Sequence, residues 1–389
     1  MNVPGDPARS TRSTSPAKLA QGLRQLQKPV KFTHQRIGDL AVTIASVSQG
    51  SFDLLKRSNR SRLSRGFLPL EIREFLRPAL GMDGDDDEEI DHMFTSRTLP
   101  TKSVPADRIA RDDGRKVLDQ QRRLLLTRIC NHVECQEEEE TETGAGKDRI
   151  LHALNLLDEL ETLEKIVART VEFQGEPRSE AAWNEHIHGR ILELGLADHA
   201  EVRVENVTGA AIAEPFQPVA RPELGRELPL LASKPIDYTL LLTPDPADPL
   251  SGLIRDFVGG LRPRTFNHST YAPLRTRPGG VFVATKADGA GYLEARAQLG
   301  IWLAAWFSRV EDFSSTSNLA LPVIIAVGAS WQLWFALDRR DCFEVCGPVS
   351  IGGTGDLGSI YLLRDCLSYV GDWMATDFRR WVELCVRAG

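Results

Sequence analysis

The chain has 389 residues, 42% of them hydrophobic and 26% charged, with a net charge of −7 at pH 7. That length fits one large domain or two ordinary ones, and the composition is that of a globular protein, not of a fibrous or wholly disordered one. No apolar run approaches the roughly 18 residues a membrane helix needs, and the polar, basic N-terminus lacks the apolar core of a secretory signal. No membrane partner is therefore expected, and the chain reads as intracellular, nuclear or cytoplasmic.

In chain order, three regions are expected: 1–65 basic and largely disordered, 66–147 helical with acidic linkers, and 148–389 a folded α/β domain. Residues 1–70 hold 12 Lys/Arg against 3 Asp/Glu. Much of that charge lies in the run Lys56–Arg62, which fits a nuclear localisation signal, a phosphate-binding arm or a solvated linker. From Leu19 to about Leu80, short helical patterns alternate with polar breaks. The acidic run Asp83–Asp91 repels itself and reads as a linker. A helix is expected over Arg108–Val133, before a second acidic run, Glu137–Glu140. Ile150, Leu154, Leu157, Leu160, Leu163 and Val167 recur at spacings of three or four, the stripe of an amphipathic helix over 148–172.

The pattern then changes. Ser179 can cap a helix running to about Leu196. Strands are expected at Glu201–Val207, Ile236–Leu242 and Gly280–Lys286, then a helix from about Gly291 to Val310. Two apolar strands, Val323–Val327 and Trp331–Leu337, are close enough for a hairpin through Gly328-Ala329-Ser330. Ser359–Arg387 reads as helical with a break near Gly371. Helix, strands, helix, strands, helix implies a mixed sheet covered on both faces. Gly353–Gly358 matches G-x-G-x-x-G, but too little chain follows for a βαβ unit, so it reads as a loop. Cys130, His132 and Cys135 lack a second ligand pair for zinc, as do Cys342 and Cys346. The six cysteines are expected as free thiols.

The chemically informative residues are Asp237, Lys286 and Gln298. Asp237 lies inside an apolar strand, where an unpaired charge costs several kcal/mol. Alternation puts Ala284, Lys286 and Asp288 on one face of the next strand. Glu294 and Gln298, four apart, share a helix face. Phosphodiester hydrolysis uses a metal to neutralise the phosphate and to lower the pKa of the attacking water; carboxylates hold such a Mg²⁺, and a lysine can stabilise developing charge. A strand Asp followed by a Glu-x-Lys strand supplies that set. Here the second strand reads Ala284-Thr285-Lys286.

These stretches resemble a known family. Ser179-Glu180-Ala181-Ala182-Trp183-Asn184 with His188, Asn206-Val207-Thr208 with Ala211, Ile236-Asp237-Tyr238 and Asn267-His268-Ser269-Thr270-Tyr271 occur in its order. Ala284-Thr285-Lys286, Gln298-Leu299-Gly300-Ile301-Trp302 and Ile351-Gly352-Gly353-Thr354 follow. The chain is similar to the fungal PD-(D/E)XK nuclease-like domain proteins, a divergent branch of the restriction-endonuclease-like superfamily. The likeness covers residues 175–385 and, more loosely, Ser15–Lys18.

The resemblance implies a restriction-endonuclease-like α/β fold: a mixed central sheet flanked by helices, after a mainly helical, partly disordered N-terminal region. It implies a metal-binding Asp at Asp237, the catalytic lysine at Lys286, a supporting acid at Glu180 and a helix glutamine beside the metal at Gln298. Related nucleases sometimes move the second carboxylate to that helix, which makes Glu294 the candidate second ligand, ahead of Asp288. The cofactor would be Mg²⁺ or Mn²⁺ and the partner nucleic acid, with DNA foremost; protein partners are not specified. Ala284 stands where the family has Glu, so the expected site is degenerate. Metal-dependent hydrolysis of DNA and a catalytically inactive nucleic-acid- or protein-binding module, a pseudoenzyme, remain the two alternatives. A third is a scaffold that binds through its acidic runs.

Simpler roles compete for each residue. Asp237 could pair structurally with Lys286, Glu180 could be a first-turn acid favoured by the helix dipole, and Gln298 an ordinary helix residue. Trp183 and Trp302 read as core anchors, and Asn267 and His268 as loop-capping residues.

Overall fold

A computed structural model describes residues 21–63, 66–80, 91–97, 145–221, 236–313 and 319–388. The helix expected over Arg108–Val133, the Cys130–His132–Cys135 group, the run Glu137–Glu140 and most of Asp83–Asp91 lie outside these residues. In chain order the elements begin with β1 (Val30–His34), α1 (Ile37–Ala45), α2 (Gln49–Arg62), β2 (Leu68–Pro69), α3 (Arg73–Ala79) and β3 (Phe94–Thr95). Next come α4 (Ala145–Gly175) and α5 (Glu180–Trp183), which continues through a π-helical turn (Asn184–His188) into α6 (Gly189–Gly195). Then follow β4 (Val202–Asn206), β5 (Tyr238–Leu242), α7 (Pro249–Gly260), β6 (Gly279–Lys286) and α8 (Tyr292–Glu311). The chain ends with β7 (Leu321–Val327), β8 (Ser330–Asp338), β9 (Phe343–Gly353), α9 (Leu357–Trp373), a second π turn (Met374–Phe378) and α10 (Arg379–Ala388).

The chain divides into two compact units, residues 1–63 with 166–389 and residues 64–165. In the second, β2 pairs in parallel with β3, and Arg97 bonds Glu159 at 2.7 Å. The first contains a seven-stranded sheet in the order β1-β9-β8-β7-β6-β5-β4. Its β1–β9 and β6–β7 pairs are parallel and its other pairs antiparallel. Parallel neighbours need a crossover, and α8 provides it between β6 and β7. This is the restriction-endonuclease-like arrangement, a mixed central sheet flanked by helices.

Strand alternation gives the sheet two different sides. Phe282 is in register with Val323, which pairs with Trp334. This side is covered by α8: Trp302 and Trp306 meet Phe282 at ring-centroid distances of 6.3 and 6.0 Å, and Arg296 lies 4.5 Å over Phe32 of β1. Thr285 is in register with Ala326 and Trp331 on the other side, where His188 packs edge-on against Trp331 at 5.6 Å. On β9, Gly352 adopts φ +102°. A side chain there would collide with Ser359 O and the backbone of Leu363, so this glycine lets α9 lie directly on the strand.

Several expectations are met closely. Ser179 caps α5 by accepting from Ala182 N at 3.3 Å. The β7–β8 hairpin closes through Gly328 and Ala329, with Val327 opposite Ser330 and Gly328 at φ +52°. Trp183 and Trp302 are core residues. Cys342, Cys346 and Cys366 are free thiols. No helix among the described residues is long and apolar enough to cross a membrane.

Other expectations need correction. Residues 21–62, taken as largely disordered, supply an edge strand and two helices. Val30 and Leu23 are buried against α8 where Gly300 leaves room. The Lys56–Arg62 run is helical, within α2, rather than an extended arm: Arg57 stacks 4.0 Å from Tyr369 and pairs with Asp372 at 2.8 Å. Ser51 of α2 donates to Ala320 O at 2.6 Å and accepts from Trp373 Nε1 at 3.2 Å. The buried stripe of α4 is Ala153, Leu156, Leu160, Leu163, Ile166 and Phe173, rotated from the expected one. Strand β9 was not anticipated. Gly353–Gly358 is not simply a loop, because Gly353 ends β9 and Asp356 caps α9 through Ser359 N at 2.8 Å. The last helical irregularity is the turn Met374–Phe378, not Gly371.

Candidate functional site

Asp237 immediately precedes β5 and is 5% exposed. Tyr238 is in register with Val283, which puts Asp237 level with Ala284 on the neighbouring strand. Asp237 N donates to Val283 O at 3.2 Å, and Asp237 O accepts from Val207 N at 2.9 Å. Its carboxylate then does what a ladder carbonyl would do: Oδ2 accepts from Thr285 N at 2.8 Å. Oδ1 accepts from Asn184 Nδ2 at 3.0 Å. Burial pushes the Asp237 carboxyl above its ordinary value, while the Thr285 N–H, the Lys286 charge and the Asn184 amide act in the opposite direction.

Asn184 is the hub of a buried polar chain. Its Oδ1 accepts from Thr285 Oγ1 at 2.6 Å and lies 3.0 Å from His188 Nδ1. His188 Nε2 is 3.0 Å from Gly328 O in the β7–β8 turn, and Tyr238 donates its hydroxyl to Asn184 O at 2.7 Å. Burial holds the His188 imidazole neutral, its pKa pushed down to about 4. A neutral ring has one N–H to share between these two acceptors. Asn184 and His188 bound the π turn, and such single-turn widenings are frequent at functional sites.

Lys286 closes the other half of the site. Only 5% exposed, it donates through Nζ to both carboxylate oxygens of Glu180 at 2.9 Å each. Gly291, in the turn leading to α8, makes room for the lysine stem; a Cβ there would lie 2.6 Å from Lys286 Cδ. The Glu180 carboxyl is raised by burial, and further by the charges of Asp237 and Glu294, against the pull of Lys286. Asp288 caps the turn by accepting from Ala290 N at 2.9 Å, so it has left the strand face. Ala284 is fully buried.

Glu180, Asp237 and Lys286 thus come together, with Glu294 near enough for its charge to act on Glu180. Gln298 stays apart. It is 9% exposed, on α8 one turn before Trp302, and its Oε1 has no hydrogen-bond partner among the described residues. Asn267 ties its own loop as expected, donating to Arg277 O at 2.9 Å and accepting from Gly279 N at 2.9 Å. His268 does not cap anything through its ring: neither nitrogen has a partner among the described residues. Asn184, His188 and Thr285, quoted above only as part of the resemblance and given no role, are the residues that sequence reasoning missed. Two polar residues four apart, each beside an apolar residue (Trp183 and Ile187) on one face of a helix, were the available signal.

The family model of the PD-(D/E)XK nuclease superfamily matches residues 128–379. The chain belongs to the PD-(D/E)XK nuclease superfamily. That match spans β4 to β9 and both halves of the site described above. No curated protein and no solved structure matches the chain. Asp237, Ala284 and Lys286 all lie within the matched residues.

Proposed function

We propose that this PD-(D/E)XK chain binds nucleic acid, DNA foremost, without hydrolysing it. The observation that carries the reading is the closed bonding of the two surviving site residues: both Asp237 oxygens accept N–H donors, and Lys286 is held by both oxygens of Glu180. Mg²⁺ is held by oxygen ligands in near-octahedral geometry, commonly through one or two carboxylates. The residues fit that ion poorly. Ala284 contributes no oxygen, Asp237 would have to exchange or share its two hydrogen bonds, and Glu180 would have to release a buried ammonium. What remains is a hydrogen-bonded clasp joining α5, β5, β6 and the β7–β8 turn. Nucleic acid as partner rests on family membership.

Restoring the missing acid tests this. Ala284→Glu should gain Mg²⁺-dependent cleavage of single- or double-stranded DNA over an inactive unaltered chain. Ala284→Asp is the smaller replacement should the buried glutamate unfold the protein. Equal metal-dependent cleavage by the unaltered chain would overturn the proposal. A second reading, hydrolysis with Glu294 as the relocated carboxylate, is favoured by one observation, the influence of Glu294 and Asp237 on Glu180. It requires cleavage by the unaltered chain that Glu294→Ala abolishes.

A further inference from the structure

We infer that the segment 262–277 is the surface that meets nucleic-acid phosphates, an inference that rests on the nucleic-acid-binding reading and adds where binding occurs. From Phe257 to Ala287 the chain contains Arg262, Arg264, Arg275, Arg277 and Lys286 and no Asp or Glu, within a protein of net charge −7. All four arginines are exposed. None forms an ion pair among the described residues, whereas Arg57, Arg178, Arg339, Arg364 and Arg379 each hold a carboxylate. Concentrated like charge without counter-charge repels itself, and a polyanion relieves that repulsion while releasing its own counterions.

The arginines are carried on a stitched backbone, not on a loose loop. Phe266 N donates to Arg275 O at 2.7 Å, which draws the pair Arg262 and Arg264 beside the pair Arg275 and Arg277. Thr265 Oγ1 donates to Ser269 O at 2.7 Å. The buried Arg309 guanidinium donates to Pro263 O at 3.1 Å and also to Thr265 O. Arg275 is oriented through Nε on Thr270 O at 3.1 Å. At the tip, Tyr271 is 37% exposed. Arginine forks match phosphate oxygens, and an exposed aromatic ring offers a face to an unpaired base. Those two features favour a nucleic-acid strand over an acidic protein. The inner side of the segment packs through His268 against Trp302 of α8 at 4.3 Å and against Phe282 of β6 at 6.2 Å, on the side of the sheet that also carries Ala284.

The test is equilibrium binding of labelled single-stranded and duplex oligodeoxynucleotides in EDTA across a salt series. It compares the full chain with Arg275→Glu/Arg277→Glu and with the milder Arg275→Gln/Arg277→Gln, each checked for unchanged thermal unfolding. Arg380→Glu/Arg387→Glu, at exposed positions on α10, serves as a control for nonspecific charge. The loop variants should lose at least tenfold in affinity, and the slope of log K against log salt should fall by about 1.5, with the control unchanged. Binding by the unaltered chain that the loop variants retain would overturn this surface while leaving nucleic-acid binding intact. Failure of the unaltered chain to bind would overturn both. Displacement of DNA by polyglutamate as effective as by unlabelled DNA would assign the surface to an acidic protein instead.

Discussion

Two histidines lie in the interior with different surroundings. His188 sits within 3.0 Å of Asn184 Oδ1 and Gly328 O, while neither nitrogen of His268 has a partner among the described residues. Burial lowers both, His188 to about 4 and His268 to about 3, from an ordinary 6.5. Above pH 6.5 neither folded nor unfolded chain protonates these rings, so they contribute no pH dependence. As pH falls below 6.5 the unfolded chain takes up protons that the folded chain refuses, and stability drops until the folded values are reached. At pH 4.5 this amounts to about 2–3 kcal/mol for each ring. The raised carboxyls of Asp237 and Glu180 act the other way, because the folded chain binds their protons first and regains stability on acidification. Denaturant titrations from pH 7 to pH 4.5 should therefore show a loss of stability that is smaller in His268→Leu by about 2–3 kcal/mol. An identical pH slope in the two proteins would show that His268 is hydrogen-bonded or hydrated. Asp237 and Lys286 were legible in the sequence because a charge in an apolar strand is conspicuous. Asn184 and Thr285 were not, because what they do depends on a carboxylate 53 residues from one and 48 from the other.

At the scale of elements, β4 to β8 could be read locally. Each is a compact apolar or alternating run bounded by turn residues, and α8 has a clear start and stop. Strand β9 hides its pattern behind Gly347, Pro348, Gly352 and Gly353. Leu333 is opposite Val349 but Phe335 is opposite Cys346, so Gly347 and Pro348 form a bulge facing Trp334. A proline inside a sheet is tolerated where the ladder is already broken. Strand β1 is five residues long, and its partner in the sheet among the described residues is more than 300 residues away, a pairing no local pattern reveals. The N-terminal contribution has a measurable consequence. A chain shortened to begin at residue 128, where the family match starts, would lack β1, α1 and α2 along with β2, α3 and β3. It would expose the hydrogen-bonding edge of β9 and uncover Tyr369 and Trp373. Such a chain should aggregate or lose cooperative thermal unfolding. A shortened chain that unfolds cooperatively at the original temperature would refute the structural role given to this segment.

For the whole molecule, charge is arranged against the average. The protein is acidic overall, yet its sheet domain carries an acid-free stretch of arginines, while the nuclease-type residues at the end of β6 are occupied with one another. Family membership alone implies cleavage. The bonding around Asp237 and Lys286, with Ala284 opposite, is what motivates the proposal of binding without cleavage. The most direct measurement incubates the unaltered chain with end-labelled single- and double-stranded DNA in Mg²⁺, in Mn²⁺ and in EDTA, reading retention and strand length from the same samples. DNA retained at full length, with the same affinity in all three, is the expected result. Shortened DNA that requires the metal and disappears in Asp237→Ala would contradict it.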